Sequence, residues 1–269
     1  MIALAHLVAS SCYIGAAALA AAPFVRPVTA PVRAVTGALA AGVLAHAAAL
    51  VAVAVGAGRA PLTGLGPALS FGAILLALTL LVAELAARET SLSLVAAPLA
   101  ALATVGAVLA GLHPLPGPQG AVRGAWLVSH IALSFAGIAA FGTAAAAGSM
   151  YLVQRRELRS RRFGAIFRLF PPLDTLDRVN HVAAVAGWVN LTLGIALAVG
   201  YSVTYRALDV SEIIWGGAAW LSVTALVVGR VLGGWQARRA ALISSASFAA
   251  VLVLYVALRT LGASGSQFL

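Results

Sequence analysis

Eight apolar runs, each about the length of a membrane crossing and each bounded by Arg, Pro or Gly, constrain this chain more than any other feature. They fall at about residues 2–22, 34–55, 65–87, 92–111, 124–153, 181–203, 213–232 and 240–261. A helix rises about 1.5 Å per residue, so roughly 20 apolar residues cover the hydrocarbon core of a bilayer. The predicted fold class is therefore all-α: a polytopic integral membrane protein with eight transmembrane helices in a bundle, residues 1–269 forming a single transmembrane domain. Composition agrees, with 62% hydrophobic and 9% charged residues and a mean hydropathy of +1.03; a soluble domain carries about a quarter charged residues. No soluble domain fits between the runs. The fifth is long enough to tilt or project beyond the bilayer, and Gly137, Gly142 and Gly148 within it would let a neighbouring helix come close.

The net charge of +10 could mark a nucleic-acid binder, so its placement decides. All seventeen basic residues are Arg. Short cytoplasmic loops keep positive charge. With the N-terminus outside, only Arg59, Arg123, Arg206 and Arg259 face outward, and the other thirteen of the seventeen lie inside. That bias predicts N-out and C-out, in the cell's inner (cytoplasmic) membrane, and removes the case for nucleic acid. The longest loop, 154–180, is then cytoplasmic and holds the run Arg155, Arg156, Arg159, Arg161, Arg162 and Arg168. It reads either as an anchor against anionic lipid or as a docking site for a cytoplasmic partner at Arg155–Arg162. Pro171 and Pro172 interrupt any helix there, and Asp174 and Asp177 favour the start of the next span through the helix dipole.

No Arg or Lys precedes Arg26, so the first run lacks the basic n-region of a cleaved signal peptide and reads as a retained helix. The single Cys12 excludes an intramolecular disulfide. Walker, HExxH, nucleophile-elbow and CxxC patterns are absent, which turns the reading from a self-contained catalyst toward binding or transfer. A small-solute transporter is disfavoured because Glu84 is the one carboxylate within the spans and no inverted repeat is visible.

Ionisable side chains at membrane depth are functional candidates. His46 sits near the middle of the second run. His130 lies two turns into the fifth, one turn beyond Trp126 and on the same face. His6 belongs to the outer half of the first run, His113 to an outer loop and His181 to the inner mouth of the sixth. Neutral imidazole ligates haem iron and zinc, so His130 and His46 are each read as a candidate ligand of haem iron or as an interhelical hydrogen-bonding group. Between the sixth and seventh runs, Asp209 and Glu212 fit a capping box, with Trp215 and Trp220 at the interface. The same segment also reads as an aromatic, acidic platform for a flat porphyrin.

The ordered set Trp126-Leu127-Val128-Ser129-His130-Ile131, Tyr151-Leu152-Val153-Gln154, Pro171-Pro172-Leu173-Asp174-Thr175-Leu176-Asp177, Leu191-Thr192-Leu193-Gly194, Asp209-Val210-Ser211-Glu212-Ile213-Ile214-Trp215, Gly234-Trp235 and Arg238-Arg239-Ala240-Ala241 resembles the cytochrome c assembly membrane-protein family, with its CcsA, CcmC and HemX branches. In synthetase-type members this resemblance implies a haem at the outer face between two His flanking a Trp-rich loop, and a second haem within the membrane between another His pair. His130 matches the first outer His and His46 the first membrane His. Tyr201 to Leu208 stand where the Trp-rich run would be, and Val210 and Ser211 replace Pro and Lys. The second membrane His falls at about Val228, and the second outer His in the tail from Ser264 to Gln267. The pattern is closer to the HemX-like branch, which lacks that loop.

The resemblance implies a haem-handling membrane protein of cytochrome c biogenesis. It would hold b-type haem through His130, His46, Trp126 and Trp215, and work with a membrane partner subunit of a maturation complex. The alternative it implies is a HemX-type regulator or scaffold of a tetrapyrrole-synthesis enzyme.

Overall fold

The computed structural model describes residues 2–25, 32–58, 60, 62–114, 121–161, 164, 170–205 and 210–261. Among them are eight helices long and apolar enough to cross a membrane: α1 (Ile2–Val25), α2 (Val32–Ala57), α3 (Leu65–Ala87), α4 (Ser93–Ala110), α5 (Ala121–Ser160), α6 (Leu173–Tyr205), α7 (Val210–Val231) and α8 (Ala237–Leu261). The described residues contain no strand. A helix bonds all its backbone groups internally, which is what hydrocarbon demands. All eight sequence runs appear as helices, most of them extended by a few residues at their ends.

One segment differs from expectation. The stretch 154–180, read as a loop, is helical at both ends, because α5 continues to Ser160 and α6 begins at Leu173. Arg and Glu are good helix formers, so α5 outlasts its apolar part. Pro171 and Pro172 are non-helical, as expected, and stand just before α6, where the Pro172 carbonyl accepts the Leu176 N–H at 3.1 Å. Asp174 lies in that first turn. Arg162 and Arg168 fall outside the described residues, as do Arg26, Arg59, Arg206, Asp209 and the tail from Ser264 to Gln267.

Packing divides the chain into two compact units, Met1–Gly117 with Val153–Val179, and Pro118–Leu152 with Asn180–Leu269. In the first, α1 packs on α2 and α4, and α3 on α2 and α4. The buried face of α1 is His6, Ala9, Ser10, Tyr13, Ala16 and Ala20, a spacing of three and four. Gly42 of α2 makes room for the Tyr13 ring: a Cβ there would lie 2.6 Å from Tyr13 Cε1. Between α3 and α4, Arg88 adopts the left-handed conformation (φ 56°), and Glu84 Oε1 accepts the Ser93 N–H at 2.7 Å, capping α4 from the preceding helix.

In the second unit, α5 packs against α6 and α8 through its small residues. A Cβ at Gly137 would meet Leu191 Cγ at 2.6 Å, one at Gly142 the Phe248 ring at 2.9 Å, and one at Gly148 Ser244 Oγ at 2.6 Å. The close approach expected of these glycines is thus present. Phe141, Ala144, Ala184, Leu191, Val223 and Leu226 form the core of this unit. Two reciprocal bonds tie α6 to α7: Trp188 Nε1 donates to Thr224 Oγ1 at 3.0 Å, and Trp220 Nε1 to Thr192 Oγ1 at 2.9 Å. Asn180 Nδ2 donates to the Ala144 carbonyl at 2.7 Å and to Ser244 Oγ at 2.8 Å, joining α6 to α5 and α8.

Candidate functional site

In the second unit, a partly open cavity of about 290 Å³ lies among α5, α6 and α7. Its wall is mostly apolar, with Phe135, Ile138 and Ile195 prominent, and His130 and Glu212 form its polar patch. The chain folds this way because His130 falls on the α5 face that packs against α6. One turn earlier on that face Trp126 donates Nε1–H to the Leu197 carbonyl at 2.9 Å, and one turn later Ser134 meets Gly194. Gly194 allows the contact, since a Cβ there would stand 2.7 Å from Ser134 Oγ.

The His130 ring is therefore held by backbone. Its Nδ1–H donates to the Gly194 carbonyl at 2.8 Å, because a carbonyl can only accept. Nε2 then faces Glu212 Oε1 at 2.9 Å. Side-chain exposure is 15% for His130 and 50% for Glu212, so the imidazole is the more buried member of the pair. Imidazoles that bind metals are commonly oriented by an Nδ1–H bond to a carbonyl, which leaves Nε2 as the ligating atom.

Trp215, Gly216, Gly217 and Trp220 of α7 also line the cavity. Nothing lies within 4 Å of where a Cβ would stand at Gly216 or Gly217. The adjacent glycines keep open a stretch of bare helix backbone on which a flat molecule can lie. Trp215 is fixed by donating Nε1–H to the Val251 carbonyl of α8 at 3.1 Å and by packing on Tyr255, ring centroids 5.4 Å apart. Of the sequence candidates, then, the structure brings His130 and Trp215 to one cavity and puts Trp126 one turn beyond it. Glu212, read from sequence as a helix-capping or platform residue, is the direct partner of His130.

His46 is in the first unit and fully buried. Its ring nitrogens face Tyr13 and Ser70, and the same Ser70 hydroxyl faces His6. The hydrogen positions follow from one end of this chain of bonds. The Ile2 carbonyl accepts from His6 Nδ1 at 3.0 Å, so His6 Nε2 is an acceptor. Ser70 must then donate to it (2.9 Å), His46 Nε2–H must donate to Ser70 Oγ (2.9 Å), and Tyr13 O–H must donate to His46 Nδ1 (3.2 Å). Every member is satisfied with both imidazoles neutral.

The imidazole beside His46 is thus His6, at 5.1 Å between ring centroids. Ser70 and Tyr13 escaped the sequence reading. The polar positions 6, 10 and 13 on one apolar helix, spaced four and three apart, were the available sign of a buried polar face. His113 is exposed, and His181 Nδ1 is buried without a hydrogen-bond partner.

A family model described as cytochrome C assembly protein matches residues 47–264. The chain is 28% identical over 165 residues to "Cytochrome c biogenesis protein CcsA" of Prochlorococcus marinus strain MIT 9515, a stretch covering 53% of this chain and 53% of that protein. The protein of the same name from Prochlorococcus marinus subsp. pastoris is 28% identical over 165 residues, 53% of this chain and 52% of that one. The one from Synechococcus elongatus (strain ATCC 33912 / PCC 7942 / FACHB-805) is 32% identical over 93 residues, 33% of this chain and 28% of that one. The chain spans about half the length of the curated relatives it matches first. No solved structure matches.

Proposed function

The chain belongs to the cytochrome c assembly protein family, and from that membership we propose that it handles haem at the membrane during cytochrome c biogenesis, holding it at the α5–α6–α7 cavity. The observation that carries this reading is the fixed His130 ring on the cavity wall, with Nδ1–H bonded to the Gly194 carbonyl and Nε2 paired with Glu212 Oε1. Haem is cargo here, a tetrapyrrole whose iron takes an imidazole nitrogen as an axial ligand. The residues fit such a molecule: an oriented imidazole, apolar walls, two glycines whose missing side chains leave a flat floor, and Trp215 and Trp220 at its edges. At about 290 Å³ the cavity is at the small end of ligand pockets. It takes part of a tetrapyrrole ring and leaves the remainder at its open side.

Each protein group then has a task. The Gly194 carbonyl fixes which nitrogen of His130 is presented. Glu212 orients His130 Nε2 and would have to yield that nitrogen to a metal. The apolar walls exclude water from the ring. The Arg distribution supports N-out insertion in the inner membrane, which puts His130 and Glu212 toward the outer face. In this reading a membrane partner subunit would supply any further ligand to the iron, since both ring nitrogens of His46 already bond Tyr13 and Ser70.

The test is an absorption spectrum of protein purified from haem-replete cells, repeated after adding haemin. A Soret band is expected that is lost in His130→Ala and kept in His46→Ala. A wild-type preparation that stays colourless and takes up no haemin refutes the proposal.

A further inference from the structure

Two turns before His130 on α5 lies Arg123, a cation that the haem reading leaves without a task. Among the described residues it has no hydrogen-bonding or carboxylate partner, and its Nε is buried with none. Its guanidinium lies over the Tyr205 ring, 4.2 Å from the centroid, and is 5.9 Å from that of Tyr201. Tyr201 and Tyr205 pack against each other at 4.7 Å, and Trp126 closes on both, at 6.0 and 6.1 Å. Two tyrosine rings thus hold the cation, and Trp126 buttresses both of them. Stacking uses the face of the guanidinium and leaves its in-plane N–H donors for a planar anion.

A buried donor without a partner is costly, on the order of 1–3 kcal/mol. Such a group, two turns from His130 on the helix that lines the cavity, suggests an acceptor that arrives with the ligand. The spacing defines that acceptor. Seven residues of helix turn through nearly two full rotations, so Arg123 and His130 share a face, about 10 Å apart along α5. The carboxylate arms of a tetrapyrrole end about six bonds from the central metal, on the order of 8 Å when extended. A long flexible side chain such as Arg closes the difference.

Resting on the haem reading of the cavity, we infer that Arg123 is a specificity-determining residue that receives a propionate carboxylate of the tetrapyrrole held at His130. The arrangement selects tetrapyrroles with free carboxylates and orients the ring with its acid edge toward the Tyr205 end of α6 and its apolar edge toward Phe135 and Ile138. The same guanidinium would also take a lipid phosphate, a tetrahedral oxyanion where the carboxylate is planar, and the experiment separates the two.

The probes are haemin and haemin dimethyl ester, titrated by Soret absorbance into detergent-purified full-length protein. Wild type should prefer the free acid about tenfold or more, as expected for one charge-assisted bond in a partly buried setting. In Arg123→Gln the preference should fall close to one, because haemin weakens and the ester does not. Arg123→Lys keeps the charge and loses the planar fork, and should retain part of the preference. Equal wild-type affinity for both porphyrins overturns the assignment while leaving the haem reading intact. So does an Arg123→Gln protein that weakens both alike, since that is the signature of a structural bracket or of a lipid contact. If neither porphyrin binds wild type, the reading of the cavity fails first and this assignment falls with it. Size-exclusion profiles of the variants establish that each is folded.

Discussion

Replacing Ser70 by Ala removes the hub of the buried chain Tyr13–His46–Ser70–His6 and changes little else, since Ser and Ala differ by one oxygen. Two groups lose their partner, the His46 Nε2–H donor and the His6 Nε2 acceptor, and both residues are fully buried. Leaving a buried polar group unpaired costs about 1–3 kcal/mol, which for two groups sets an upper bound of about 6 kcal/mol. Two effects lower it. Interhelical hydrogen bonds in membrane proteins average about 0.6 kcal/mol, because chains unfolded in the membrane also find partners. The two imidazoles are also close enough, at 5.1 Å between centroids, for the freed N–H of one to turn toward the freed nitrogen of the other.

The expected destabilisation is therefore about 1–2 kcal/mol. The assay is reversible denaturant unfolding in mixed micelles, run as a double-mutant cycle with His46→Ala. Residues sharing one network couple by about 0.5–3 kcal/mol, so the double variant should be more stable than the sum of the single losses predicts. A Ser70→Ala protein within about 0.3 kcal/mol of wild type, or strictly additive losses, would refute the directed chain of bonds derived from the Ile2 carbonyl.

Two other outcomes follow from particular residues. Gly217→Leu places a side chain where nothing lies within 4 Å of the Cβ position, so the protein should fold normally and lose haemin uptake by about tenfold or more, the effect of filling a ligand cavity; unchanged titration would mean the ring lies elsewhere. In a Cys12→Ser background, a membrane-impermeant maleimide should label His113→Cys in intact cells, but Gln236→Cys only after permeabilisation, with the reverse pattern overturning N-out insertion.

The apolar runs were enough to define the eight helices, because crossing hydrocarbon requires length and low charge and both are local properties of the sequence. Sequence also marked His130 as the imidazole to watch and Gly137, Gly142 and Gly148 as points of close approach, since Gly and His stand out in Ala- and Leu-rich helices. Sequence read 154–180 only as the connection between two spans; α5 continues into it to Ser160 because Arg and Glu suit a helix well.

What only the tertiary structure decided is which polar groups meet. The partner of His46 is a residue 40 positions earlier in the chain, joined through a serine on a third helix. Glu212, 82 positions after His130, completes a pair that no local spacing predicts. In lipid an isolated polar side chain has no water to turn to, so its identity announces that a partner exists. Which partner it finds depends on how the helices are rotated against one another, and in the second unit that is set by the contacts at Gly137, Gly187 and Gly194.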